Sequence, residues 1–221
     1  LNMLNFNAST LLHGMCSWTP AAVNCFNAST KQMNFPVVSG SDPGTPDAGV
    51  TRQCGGDDPP AGGGEWTGSS EDWEIVRHAV DSYFSTVPTP YITSTALHAN
   101  LYDGWAANDP FVVSLRSGDH YAAGHVPTAV NIGATAILES ENLDTLPMDK
   151  QIVVYCYTGH TAAQTDAVLG ILGYDSVSMT YGMCSWSSNS TVHMDKCFSG
   201  GADHPVITGS DPGDWDDAGP A

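Results

Sequence analysis

From residue 70 onward the apolar positions fall into helix and strand periods. Trp73, Val76, Val80 and Phe84 recur at helical spacing, with Ser70, Glu71 and Asp72 as a start signal and Pro88 and Pro90 as a stop. Ser94 is placed to cap a second helix running to about Ala107, and 111-FVVSL-115 has strand composition and ends at Arg116. The stretch 119-DHYAAGHVPTAVNI-132 reads as a short helix, a turn and a small strand at Ala129 to Ile132. The run 151-QIVVYC-156 is apolar and β-branched without interruption, the kind of strand that a parallel sheet buries on both faces. A helix over 162–172 and a strand over 176–179 follow. This alternation predicts an α/β domain of three layers, with a central, mostly parallel sheet flanked by helices.

Before residue 70 the chain repeats what comes later. The segment 1-LNMLNFNASTLLHGMCSW-18 lies without a gap on 169-LGILGYDSVSMTYGMCSW-186, and the match resumes at 25-CF-26 on 197-CF-198 and at 36-PVVSGSDPG-44 on 205-PVITGSDPG-213. Residues 1–50 are therefore expected to be the C-terminal part of an upstream module, forming an N-terminal partial repeat. Residues 51–69, rich in Gly, Pro and Asp, read as a linker, and 70–221 as one complete domain with an Asp/Gly-rich tail. Leu1, Met3, Leu4, Phe6, Leu11 and Leu12 need a covering surface. The missing upstream half of the first module, in cis or as a separate chain, is the expected partner, and processing upstream of Leu1 is expected with it.

Charge narrows the partners. With 6 Lys and Arg against 24 Asp and Glu, the 221-residue chain carries a formal net charge of -18, which repels a phosphate backbone and makes nucleic acid an unexpected ligand. No apolar run approaches the roughly 18 residues of a membrane span. Of the 24 carboxylates 19 are Asp, many in Gly/Pro contexts such as 41-SDPGTPD-47 and 210-SDPGDWDD-217. Solvated loops are one reading and calcium loops another, although neither stretch matches the EF-hand pattern, and no metal site or cofactor is expected.

The cysteines divide by position. Cys16 and Cys25 are equivalent in the repeat to Cys184 and Cys197. A disulfide in each tail competes with four buried thiols; His193 and His204 would suit a zinc site, but the first tail has no histidine at either position. Disulfides would imply an oxidising compartment and an exported, periplasmic or extracellular protein, the alternative being cytoplasmic. Cys54, in the linker, has no evident partner.

Cys156 occupies a different place: the carboxyl end of the most apolar strand, at the entrance to 156-CYTGHT-161, which leads into a helix. Open α/β sheets put their ligands there. Gly159 permits a turn that aims main-chain N–H groups inward, and a helix N-terminus favours an anion, here a thiolate. The set 116-RSGDHYAAGHVPTA-129, 152-IVVYCYTGHTAA-163, 172-LGYDSV-177 and 181-YGMCSW-186 resembles the rhodanese (sulfurtransferase) family over roughly Thr93 to Trp186. The resemblance implies a rhodanese-like fold, a tandem arrangement, and Cys156 as a nucleophile that takes a sulfane sulfur from thiosulfate or a similar donor. The resulting persulfide passes its sulfur to a thiophilic acceptor such as cyanide or a thiol. It also implies a cradle from Tyr157, Thr158, Gly159, His160 and Thr161, with Arg116 either structural or a contact for an anionic substrate.

Three departures accompany the resemblance. Ser114 stands where an Asp commonly precedes the arginine, Thr128 where a Gly is usual, and the loop carries Tyr157, Thr158 and His160 where thiosulfate-preferring members carry basic residues. His160 is either a substrate contact or a solvent-facing residue, His125 and His120 are turn or loop residues with a direct role as the alternative, and Thr161 is a helix cap. Two alternatives stand beside the transferase: a non-catalytic binding or scaffold module, and a phosphatase or arsenate reductase. The last needs a longer loop ending in Arg to clamp its anion.

Overall fold

The computed structural model describes residues 70–86, 89–194, 196–197 and 201–214. The proposed partial repeat at 1–50 and the linker at 51–69 lie outside them. The chain divides into two compact units, Leu1–Ser85 and Thr86–Ala221. Helix α1 spans Ser70–Thr86 and so runs to the boundary, as the spacing of Trp73, Val76 and Val80 predicts; Trp73 and Tyr83 are buried, whereas Phe84, of the same apolar spacing, is exposed.

The second unit is a five-stranded sheet with helices around it. Its elements are β1 (Tyr91–Ile92), α2 (Ser94–Leu101), β2 (Phe111–Ser114), α3 (Gly118–Ala122), β3 (Val130–Asn131), α4 (Ser140–Leu143), β4 (Ile152–Tyr155), α5 (His160–Ile171), β5 (Ser176–Met179), α6 (Met183–Trp186) and α7 (Ser190–His193). The strand order is β1-β5-β4-β2-β3 and every pair is parallel. Strands β2, β4 and β5 and helix α5 stand where the sequence predicts. Helix α2 stops earlier than expected, at Leu101, because Asp103 turns the chain onto its own side chain by accepting from Trp105 N, and Gly104 takes a positive φ of 78°. Its N-cap is Thr93, whose hydroxyl accepts from Ala96 N, and not Ser94.

Side-chain alternation along β4 separates two cores. Val153 and Tyr155 enter a cluster with Leu97, Val112, Met179, Met183 and Trp186, while Ile152, Val154 and Cys156 enter a cluster with Val113, Leu115, Ala162 and Leu169. Cys156 therefore points to the face covered by α5.

The chain beyond α7 is tied down. Cys184 and Cys197 are joined by a disulfide, the pairing expected for this tail. Ile207 forms an antiparallel bridge with His125, Trp186 Nε1 donates to Pro205 O at 2.8 Å, and Thr128 N donates to Pro212 O at 3.2 Å. Cys16, Cys25 and Cys54 lie outside the described residues. No helix among the described residues is long and apolar enough to cross a membrane.

Candidate active site

Strand order alone marks one crevice. From β2 the chain leaves to its neighbour β3, and from β4 it leaves to β5 on the opposite side, so the gap beyond the carboxyl ends of β2 and β4 is the switch point of the sheet. Ser114 pairs in register with Tyr155, which brings Leu115 and Arg116 level with Cys156 and Tyr157. Both sequence-predicted chemical residues, Arg116 and Cys156, stand at this one opening.

Cys156 is the free cysteine among the described residues, and the residue is 4% exposed. The loop after it is held from behind by main-chain bonds: Met183 N donates to Cys156 O and Cys184 N to Tyr157 O, each at 2.9 Å. No peptide of the described residues is cis, and in a trans peptide the N–H points opposite to the C=O. With the carbonyls of Cys156 and Tyr157 both turned to α6, the N–H groups of Tyr157 and Thr158 both face away from it. Neither finds an acceptor among the described residues, nor does Gly159 N. Unpaired donors of one orientation at the start of a helix form an anion site.

Two glycines make this possible. Gly159, at φ 84°, is the N-cap of α5, and a Cβ there would lie 2.9 Å from Tyr181 N. Gly182, at φ 55°, would put a Cβ 2.5 Å from Cys156 O and 2.9 Å from Gly159 N. Backbone meets backbone at both points, so neither position tolerates a side chain. The N-cap being Gly159, Thr161 lies inside the first turn of α5 and does not cap it, a correction to the sequence reading. His160 opens the helix and is partly exposed.

Arg116 is buried to 1% exposure. Its guanidinium donates to Gly124 O at 2.6 Å and Val192 O at 2.9 Å, and its Nε reaches Ser114 Oγ at 3.4 Å. The rings of Tyr155 and Tyr157 lie 5.5 and 5.9 Å from its Cζ. A charge so placed is satisfied by carbonyls and π-faces without a carboxylate. Of the two roles implied for Arg116, this geometry is that of a strut joining β2, the turn at Gly124 and α7.

His125 is fully buried, stacked on Tyr121 at 3.7 Å with its Nδ1 against Tyr121 O, and burial lowers its pKa from the ordinary histidine value. Its Nε2 faces Pro212 O at 3.3 Å, so the ring ties the turn to the tail, as a turn histidine. His120, from α3, has a different partner: its Nδ1 is hydrogen-bonded to the Tyr157 hydroxyl, with the two rings edge to face at 5.6 Å. The sequence gives little sign of that pair, because the residues are far apart in the chain and only the parallel pairing of β2 with β4 brings them together. Gly182 and the N-terminus of α6 are likewise parts of the site to which the sequence reading gave no role. Among the described residues no group of three or more His, Cys, Asp or Glu is placed to hold a metal ion.

Residues 94–189 match the sequence model of the family described as "Rhodanese-like domain". No curated protein matches the chain. Solved structures similar to it include a rhodanese-like domain protein from Staphylococcus aureus, 24% identical, covering 45% of this chain and 92% of that one at a TM-score of 0.41. A rhodanese-related protein from Thermoplasma volcanium is 20% identical, covering 53% and 96% at a TM-score of 0.39. A protein from Staphylococcus saprophyticus is 26% identical, covering 43% and 90% at a TM-score of 0.39.

Proposed function

Because residues 94–189 form a rhodanese-like domain, we propose that the protein is a sulfurtransferase working through a persulfide on Cys156. The observation that carries this reading is the pair of unbonded N–H groups, Tyr157 and Thr158, that share one direction beside a cysteine at the sheet's switch point.

The Cys156 thiolate attacks the outer sulfur of thiosulfate or a similar sulfane donor. A bond forms between the two sulfurs, the bond to the sulfonate sulfur breaks, and sulfite leaves with its electron pair. A thiophilic acceptor, cyanide or a thiol, then attacks the terminal sulfur and Cys156 returns as thiolate. The loop amides of Tyr157 to Thr161 hold the negative sulfur in each state. No resident cofactor takes part. The disulfide Cys184–Cys197 supports an exported protein, and a non-reducing peptide map of native material tests that.

Incubation with thiosulfate followed by intact mass is the direct test. We expect the gain of one sulfur, its loss on adding cyanide, and no gain in Cys156→Ser. A protein that takes no sulfur from any sulfane donor is instead a rhodanese-like binding or scaffold module. Cys156-dependent release of phosphate from an aryl phosphate would point to the phosphatase alternative.

A further inference from the structure

We propose that Tyr157 and His120 form an acid–base pair that removes the proton from a thiol acceptor as it attacks the Cys156 persulfide. The proposal rests on the persulfide reading above and adds a substrate class to it: the acceptor is a small thiol that arrives neutral.

Three fixed points place Tyr157. Its carbonyl accepts from Cys184 N, its ring lies over the buried Arg116 guanidinium, and its hydroxyl is bonded to His120 Nδ1. Both His120 and Tyr157 are partly exposed, so the pair stands at the opening and not in the core. A phenol that donates its proton to a neutral imidazole presents its oxygen lone pairs to whatever approaches, and so accepts from an S–H group.

The chemistry needs such a group. An ordinary thiol is about 3% thiolate near pH 7, while the thiolate is the nucleophile. A preformed thiolate would also have to approach a chain of net charge -18. Arg116 does not reach an acceptor at the opening, since it is 1% exposed and its hydrogen bonds run to Gly124 O, Val192 O and Ser114 Oγ. A neutral thiol deprotonated on arrival avoids both penalties.

The step balances. The acceptor's proton passes to the Tyr157 oxygen as the Tyr157 proton passes to His120 Nδ1. The acceptor sulfur bonds the terminal sulfur of the persulfide, and the bond from that sulfur to Cys156 Sγ breaks. Cys156 leaves as thiolate facing the loop amides, and imidazolium remains at position 120. The charged and titratable groups around the pair are the Arg116 guanidinium against the Tyr157 ring, Tyr155 on the same guanidinium, Asp119 beside His120 on α3, and Cys156 and His160 on the loop. Tyr157 is the catalytic residue of this step and His120 a positioning residue acting through it.

The test separates proton-bearing from proton-free acceptors. The full-length protein is loaded with sulfur from thiosulfate, and its discharge is timed with dithiothreitol and with a water-soluble triarylphosphine, which has no proton to lose. In Tyr157→Phe and His120→Gln the ratio of thiol rate to phosphine rate is expected to fall at least tenfold, within the range of a general-base contribution. In the variants only preformed thiolate can attack, so their thiol rate should fall roughly tenfold for each pH unit below the acceptor thiol's own pKa, a steeper dependence than that of wild type, which also uses the neutral thiol. Phe keeps the ring on Arg116, and the ratio corrects for any general disturbance of the loop. An unchanged ratio and pH profile in variants that load sulfur overturns the proposal alone. A wild-type protein that loads no sulfur overturns the persulfide reading, and this proposal with it.

Discussion

Asp166 offers the sharpest thermodynamic test of the sheet–helix packing behind the site. Its carboxyl, on the inner face of α5, is 2% exposed and accepts from Ser176 Oγ at 2.6 Å. Burial raises its pKa from 3.8 to about 7, and the Ser176 hydrogen bond only partly opposes this. For an acid whose folded-state value is raised, the stabilising contribution is complete below the unfolded value of 3.8 and is lost as pH climbs to about 7. At about 1.4 kcal/mol per pH unit the ceiling on the whole loss is roughly 4 kcal/mol, of which roughly half falls between pH 5.5 and 8. Solvent screening reduces that share to about 1–2 kcal/mol. Asp166→Asn keeps the acceptor for Ser176 and removes the titration. Urea unfolding of both proteins at pH 5.5 and 8, clear of the low-solubility region around the pI of 4.3, should show the variant gaining about 1–2 kcal/mol on wild type at the higher pH. Parallel pH dependences, within about 0.5 kcal/mol, would refute a buried carboxyl kept neutral by its surroundings.

Three further substitutions probe the frame of the site. Arg116→Met leaves Gly124 O and Val192 O without their donors and should cost about 2–4 kcal/mol in thermal unfolding, whatever substrate is present. Thr128 is β-branched at φ 67° with its hydroxyl buried and unbonded; Thr128→Gly should stabilise by about 0.5–1 kcal/mol, read as a higher Tm. Gly182→Ala drives a methyl into Cys156 O and should reduce sulfur loading by at least about tenfold, whereas Gly133→Ala, which meets nothing within 4 Å, should leave it unchanged.

The legible part of the chain was the part whose signals are local. A continuous β-branched run, a Gly-containing loop and an apolar helix suffice to place β4, Cys156 and α5, because burial on both faces of a parallel strand leaves a compositional mark. Strand β1 has two residues, and α4, α6 and α7 have four each; elements that short make no periodicity to read, and tertiary contacts decide them. The His120–Tyr157 contact was hidden for a related reason, since register between β2 and β4 is a property of the sheet. Arg116 shows the opposite case, in which the residue was visible but its direction was not. Ser114 in place of a carboxylate raised the question, and the carbonyls of Gly124 and Val192 answer it.

Those departures share one electrostatic consequence. With Arg116 buried and bonded to main-chain carbonyls and no Lys or Arg on the loop, the groups nearest Cys156 that favour an anion are N–H dipoles and the start of α5. Dipoles fall off faster with distance than charges, so they stabilise a sulfur anion already seated on the loop while doing little to draw a dianion toward a chain of net charge -18. A site built this way separates retention from capture. On the proposed persulfide reading, the site is expected to hold the persulfide well and collect free thiosulfate slowly, and added salt, which screens the net charge of -18, should raise the loading rate from thiosulfate. An uncharged donor should be indifferent to the same addition; a thiosulfate rate that falls with salt would instead place a fixed positive charge at the mouth, and equal effects on both donors would refute an electrostatic cause.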